Sequence, residues 1–137
     1  MKRKLLITCL ISYILLSCSS DDSNYKTTEL TGKWKLTEAY IDPGDGSGEF
    51  QKVESKKIIE FKKNKRISSN VSLCINSMNW DEPDLGTYEY NVDEKSQISG
   101  IITPSSCNSY HFEIKNSELY IYYLCIEGCG EKYIKIE

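Results

Sequence analysis

The chain has 137 residues, 27% of them charged, 39% apolar and 11% aromatic, with a formal net charge of −3 at pH 7. That length suits a single folded domain around one core. The acidic balance, with no basic stripe beyond Lys56-Lys57 and the turn-like Lys62-Lys63-Asn64-Lys65-Arg66, argues against a nucleic-acid partner.

The chain opens on a basic Met1-Lys2-Arg3-Lys4, followed by an apolar run from Leu5 to Leu16, small Ser17 and then Cys18. Positive charges hold such a leader on the cytoplasmic side. As a helix the apolar run would reach about 18 Å, short of the roughly 30 Å of bilayer hydrocarbon, so it reads as a cleaved leader and not a span. The sequence Leu15-Leu16-Ser17-Cys18 resembles the lipobox of bacterial lipoproteins, which implies cleavage after Ser17 and lipidation of Cys18. An ordinary secretory signal or an uncleaved anchor is the alternative. Loss of the leader removes three positive charges and takes the net charge to about −6.

Residues 18–29 begin with Ser19-Ser20-Asp21-Asp22-Ser23-Asn24 behind the lipidated cysteine, too polar to offset the entropy of ordering. This acidic run is similar to the surface-export signal of Bacteroidetes lipoproteins. It implies an outer-membrane protein on the periplasmic side or at the cell surface, tethered by a flexible leash; a solvated linker that carries no address is the alternative.

From residue 30 to 137 the recurring pattern is alternation. Trp34, Leu36 and Tyr40 share a parity opposite Lys33, Lys35 and Thr37; Tyr88, Tyr90 and Val92 alternate with Thr87, Glu89 and Asn91; Tyr110, Phe112 and Ile114 alternate with His111, Glu113 and Lys115. Between these runs lie the 42–48 loop, Lys63-Asn64-Lys65, Asp93-Glu94-Lys95 and Asn116-Ser117, all of turn-forming composition. The spacing predicts an all-β, antiparallel up-and-down barrel of eight or nine short strands, whose closure leaves no unpaired edge.

Four cysteines fall in this domain, and an even number in an exported chain reads as disulfides. Cys125 and Cys129 bracket a three-residue loop between two strand-like runs, and facing Cα atoms in an antiparallel pair lie within disulfide range. Cys125 therefore pairs with Cys129, leaving Cys74 for Cys107. A zinc site formed by the cysteines with His111 is the weaker alternative, since its ligand spacing is not finger-like. In the last hairpin, simple register sets Leu119, Ile121 and Tyr123 on the same face as Glu131, Tyr133 and Lys135, with Ile134 and Ile136 turned away. A bulge at Gly128 or Gly130 would reunite the apolar sets and is the expected solution.

Leu30-Thr31-Gly32-Lys33-Trp34 resembles the Gly-x-Trp opening of lipocalin-like barrels. Together with Lys35 to Gly48, Ser72-Leu73-Cys74, Gly86-Thr87-Tyr88 and Cys125-Ile126-Glu127-Gly128-Cys129, it is similar to a family of small lipocalin-like lipoproteins of Bacteroidetes. The resemblance implies a barrel with the tryptophan plugging one end. The chain departs from typical lipocalins in its smaller size and in ending on a strand, with no C-terminal helix, so a deep calyx is not implied.

The candidate lining of a ligand site is Trp34, Leu36, Glu38, Tyr88, Tyr90, Tyr110 and Phe112, Glu38 being included because strict alternation turns it inward. A buried carboxylate is costly unless it is partnered, so it would orient a polar head group or sit at the barrel mouth. The acidic, glycine-rich 42–49 loop does not follow EF-hand spacing and reads as a hairpin loop. Trp80, within a polar loop, is a lid or a contact point. No Ser-His-Asp or Cys-His pattern is present, and neither a metal nor a cofactor is implied. The sequence thus predicts a non-catalytic module with two possible modes: binding a small apolar or amphipathic ligand inside the barrel, or acting through the outer surface of a packed barrel. The first is the leading reading and the packed barrel the alternative, although the largely bulky inward set tilts against a roomy pocket.

Overall fold

The computed structural model describes residues 29–74, 86–96, 98–126 and 128–137. The leader, Cys18, the acidic tether and Trp80 lie outside these residues. Nine strands follow in order: β1 (Gly32–Ile41), β2 (Glu49–Lys52), β3 (Ile58–Phe61), β4 (Arg66–Ser69), β5 (Tyr88–Val92), β6 (Ser99–Pro104), β7 (Tyr110–Lys115), β8 (Glu118–Tyr123) and β9 (Cys129–Lys135). Each pairs antiparallel with its neighbours, and β1 closes on β9. The result is an eight-stranded barrel, with β2 as an additional strand on the edge of β1 that β3 also occupies.

The turns form where their chemistry predicts. Asn116 and Ser117 take positive φ values of 52° and 64°, the mirror-image turn that matches strand twist in a two-residue hairpin. In the 42–48 loop, the Asp42 carboxylate accepts the Gly44 amide at 2.8 Å and Asp45 accepts the Ser47 amide at 3.0 Å. The loop's acidic side chains are therefore engaged with its own backbone, as turn residues commonly are.

Alternation fills the interior with one apolar cluster that includes Trp34, Leu36, Ile59, Phe61, Tyr88, Tyr90, Phe112, Leu119 and Tyr133. Trp34 seals one end, its indole Nε1 donating to the Leu30 carbonyl at 2.8 Å and Lys135 lying over its ring. Gly100 admits the Phe112 ring beside it, since a Cβ there would lie 2.9 Å from that ring and 2.0 Å from the Asn91 carbonyl oxygen.

Two expectations about register are corrected. The bulge lies in β1, where pairing with β9 jumps from Leu36↔Tyr133 to Glu38↔Lys132 and Thr37 becomes the extra residue. Beyond it Ala39 turns inward and is buried, while Glu38 and Tyr40 turn outward. The last hairpin has no bulge: Leu119↔Tyr133, Ile121↔Glu131 and Tyr123↔Cys129 run in unbroken register. Glu131 therefore points into the barrel, and Ile134 and Ile136 remain exposed. Burying Glu131 is tolerated because its charge is met inside, as described next.

Candidate functional site

Lys57 and Glu131 are 1% and 0% exposed. Lys57 occupies the inward parity of Ile59 and Phe61 on the β3 side, its carbonyl accepting the Leu36 amide at 3.1 Å as the pairing of β1 with β3 continues. Its Nζ donates to both Glu131 carboxylate oxygens, at 2.7 and 2.9 Å. The Tyr123 hydroxyl donates to Glu131 Oε2 at 2.5 Å, and the Tyr133 hydroxyl donates to the same oxygen. Opposite Glu131 on β1 stands Ala39, whose small side chain leaves room for the cluster. Burial, and then the adjacent carboxylate charge, pushes the Tyr123 and Tyr133 hydroxyls well above the ordinary phenol range, so both stay protonated as donors. The carboxylate is held by one ammonium and two phenols, the partnering that a buried charge requires.

Above this cluster, at the mouth opposite Trp34, the chain enters its own barrel. Leu73 is fully buried; its amide donates to the Tyr88 hydroxyl at 3.0 Å and its carbonyl accepts the Tyr110 hydroxyl at 2.9 Å. The adjacent Cys74 is bonded to Cys107, with Cα atoms 5.9 Å apart, pinning the segment to the loop between β6 and β7. The Cys125–Cys129 disulfide closes the β8–β9 loop at the same mouth, with Cα atoms 5.8 Å apart. Both predicted pairings are present.

Six of the seven lining candidates, Trp34, Leu36, Tyr88, Tyr90, Tyr110 and Phe112, come together in the interior. They pack against one another and against Leu73: Phe61 stacks edge-on to Tyr90 at 5.0 Å, and Phe61 and Phe112 are 5.5 Å apart. Glu38 does not join them. It lies on the outer face, where Lys132 reaches it at 3.4 Å and also contacts Glu118 at 3.2 Å. The bulge at Thr37 is the reason, because one extra residue inverts the facing of everything after it.

The outside of the barrel carries an aromatic row that simple alternation did not single out. Paired positions run from Phe50 on β2 through Tyr40, Gly130, Tyr122 and His111 to Ile101 and Asn91 on β5. The rings of His111 and Tyr122 lie parallel within 18°, centroids 6.4 Å apart, and those of Tyr122 and Tyr120 within 12° at 6.3 Å. Phe50 packs edge-on to both Tyr40 and Tyr120. Gly130 sits beneath them, and a Cβ there would lie 3.4 Å from the Tyr122 ring and 3.6 Å from Phe50. Beside this row a groove of about 620 Å³ is lined by Asn91, Asp93, Ile101, Thr103, Ser109 and His111, among others. A second groove of about 670 Å³ lies over the bulge, between Lys35–Glu38 and Lys52–Ser55. Among the described residues, no group of three or more His, Cys, Asp or Glu side chains is placed to hold a metal ion.

A family model described as a lipocalin-like domain matches residues 30–100, slightly more than half of the chain. The chain belongs to that family. The matched region ends at the start of β6, and the remaining strands complete the lipocalin-like barrel by returning β9 to β1. No curated protein and no solved structure matches the chain. The lipocalin-like barrel suggests a module of the binding type, a class whose members are typically non-catalytic.

Lys57 and Glu131 were missed as a pair in the sequence, although each carried a signal. Lys57 shares the parity of Ile59 and Phe61, and simple register of the last hairpin places Glu131 inside. An inward carboxylate calls for an inward cation, and Lys57 meets that need.

Proposed function

We propose that this lipocalin-like protein is a non-catalytic binding module, lipid-anchored at Cys18 to the outer membrane of a bacterial envelope, and that it engages its ligand through the outer surface of a filled barrel. The anchor rests on the leader and its Leu15-Leu16-Ser17-Cys18 end, and the outer-membrane address on the acidic run that follows. The observation that carries the mode of binding is the Leu73 segment, buried in the mouth and clasped by the hydroxyls of Tyr88 and Tyr110.

An interior site for a small apolar or amphipathic ligand is the second reading, favoured by membership of the lipocalin-like family. It would require the Leu73 segment to swing out. That costs two hydrogen bonds at about 0.5–1.5 kcal/mol each and exposure of a leucine at about 1.5–3 kcal/mol, against the restraint of the Cys74–Cys107 bond. Native mass spectrometry of the protein purified from its own host, together with titration by an apolar fluorophore, separates the two. The outer-surface reading expects the bare protein mass and no saturable uptake. A stoichiometric copurifying apolar molecule, or uptake that changes in Tyr88→Phe, would overturn it.

A further inference from the structure

The geometry points to a neutral oligosaccharide as the ligand of the outer face, seated in the β5–β7 groove with a sugar ring laid against His111, behind which Tyr122 and Tyr120 stack. This deepens the outer-surface reading proposed above and rests on it.

The groove's composition selects the chemistry. Asn91, Thr103 and Ser109 are exposed, and among the described residues their side chains make no hydrogen bond, so an amide and two hydroxyls are available to a ligand. Asp93 adds a carboxylate that accepts the Lys95 amide at 2.8 Å through one oxygen, with lone pairs to spare. No lysine or arginine lines the groove; Asp93 lies within it and Glu89 beside it on β5, while Glu113 on β7 is paired with Lys115 at 2.6 Å, so phosphates, sulfates and other anions are disfavoured. A purely apolar ligand would strip water from these polar groups without replacing their hydrogen bonds. What remains is a neutral molecule rich in hydroxyls that also has an apolar face.

Ile101 and His111 supply that face, with Tyr122 and Tyr120 as backing. Ile101 is 51% exposed at the groove floor, and His111 forms its wall with Tyr122 and Tyr120 continuing behind it in parallel. Hydrogen bonds hold the rings in orientation: Tyr120 donates to Glu118 at 2.9 Å, and the Tyr122 hydroxyl engages Glu113. A rigid aromatic surface offers large contact area at low entropy cost, and the groove's 620 Å³ falls within the ~300–1,000 Å³ usual for ligand sites.

The test is isothermal titration calorimetry of the full chain, purified in detergent, against cellohexaose, maltohexaose, mannohexaose and chitohexaose, with oligogalacturonate as the anionic control. At least one neutral hexasaccharide should bind saturably, and its affinity should fall about tenfold or more in Asn91→Ala, His111→Ala and Tyr122→Ala, while Leu73→Ala leaves it unchanged. Asn91 and His111 are exposed, so their variants keep the test sound even if Tyr122→Ala unfolds. Absence of binding by every neutral saccharide, or tighter binding of oligogalacturonate, overturns the oligosaccharide inference. In that case a protein cross-linked specifically from a photoreactive residue at position 101 would leave the outer-surface reading standing. Saccharide binding that survives the three outer variants and is lost in Leu73→Ala would overturn both.

Discussion

At the residue scale, the buried Lys57–Glu131 pair is the most consequential feature of the interior. Removing one partner strands the other charge in the core, a loss of about 3–5 kcal/mol, whereas removing both charges is far less damaging. Lys57→Met should therefore lower unfolding free energy by about 3–5 kcal/mol. Lys57→Met combined with Glu131→Gln should recover most of that loss, since the glutamine carbonyl still accepts from Tyr123 and Tyr133. Urea unfolding of the two variants measures the difference, and additive losses would contradict this account. The same cluster sets an alkaline limit. With phenol values raised in the folded state, the native protein holds protons that the unfolded chain releases, so this contribution is full below the unfolded value of about 10 and lost as pH climbs past it. Stability followed from pH 8 to pH 12 should fall above about pH 10, and less steeply in a Tyr123→Phe/Tyr133→Phe variant.

At the scale of the element, two disulfides act on different lengths of chain. Cys74–Cys107 closes a separation of 33 residues and Cys125–Cys129 one of 4, so chain entropy assigns them about 3–4 and about 2 kcal/mol. Cys107→Ser should thus cost more than Cys129→Ser in thermal unfolding, and it should also loosen Leu73, read as faster amide exchange at that residue. Equal losses with Leu73 unchanged would mean that the tyrosine clasp alone holds the plug. The strand runs, their turns and both disulfide pairings were legible from alternation, turn composition and cysteine spacing. The position of the bulge was not. Both glycines of the last hairpin invited one, yet it formed at Thr37, because there the closing of β1 on β9 brings Ala39 inward opposite Glu131. That choice depends on strands far apart in sequence, which local pattern cannot see.

At the scale of the whole molecule, the barrel is closed at the Trp34 end by its own tryptophan and at the other by its own Leu73. With both ends stopped among the described residues, the recognition surface we propose is the outside, where the aromatic row and its groove cross several strands. The proposed lipid anchor at Cys18 is a separate property. A Cys18→Ser variant should leave the membrane fraction and keep its folded-domain melting temperature, because the substitution lies outside the barrel strands. Membrane retention of that variant, measured by fractionation, would refute the lipid anchor.

The sequence by itself determined the strand alternation, the turns, the cysteine pairing and the large inward side chains that make a packed barrel, since each depends on neighbours within a few residues or on simple distance limits. Only the tertiary structure decided the facing of Glu38, the partnership of Lys57 with Glu131, the plug at Leu73 and the aromatic row outside. These depend on barrel closure and on which residue is left over when two distant strands are brought into register. One extra residue at Thr37 was enough to move a carboxylate from the expected interior to the surface.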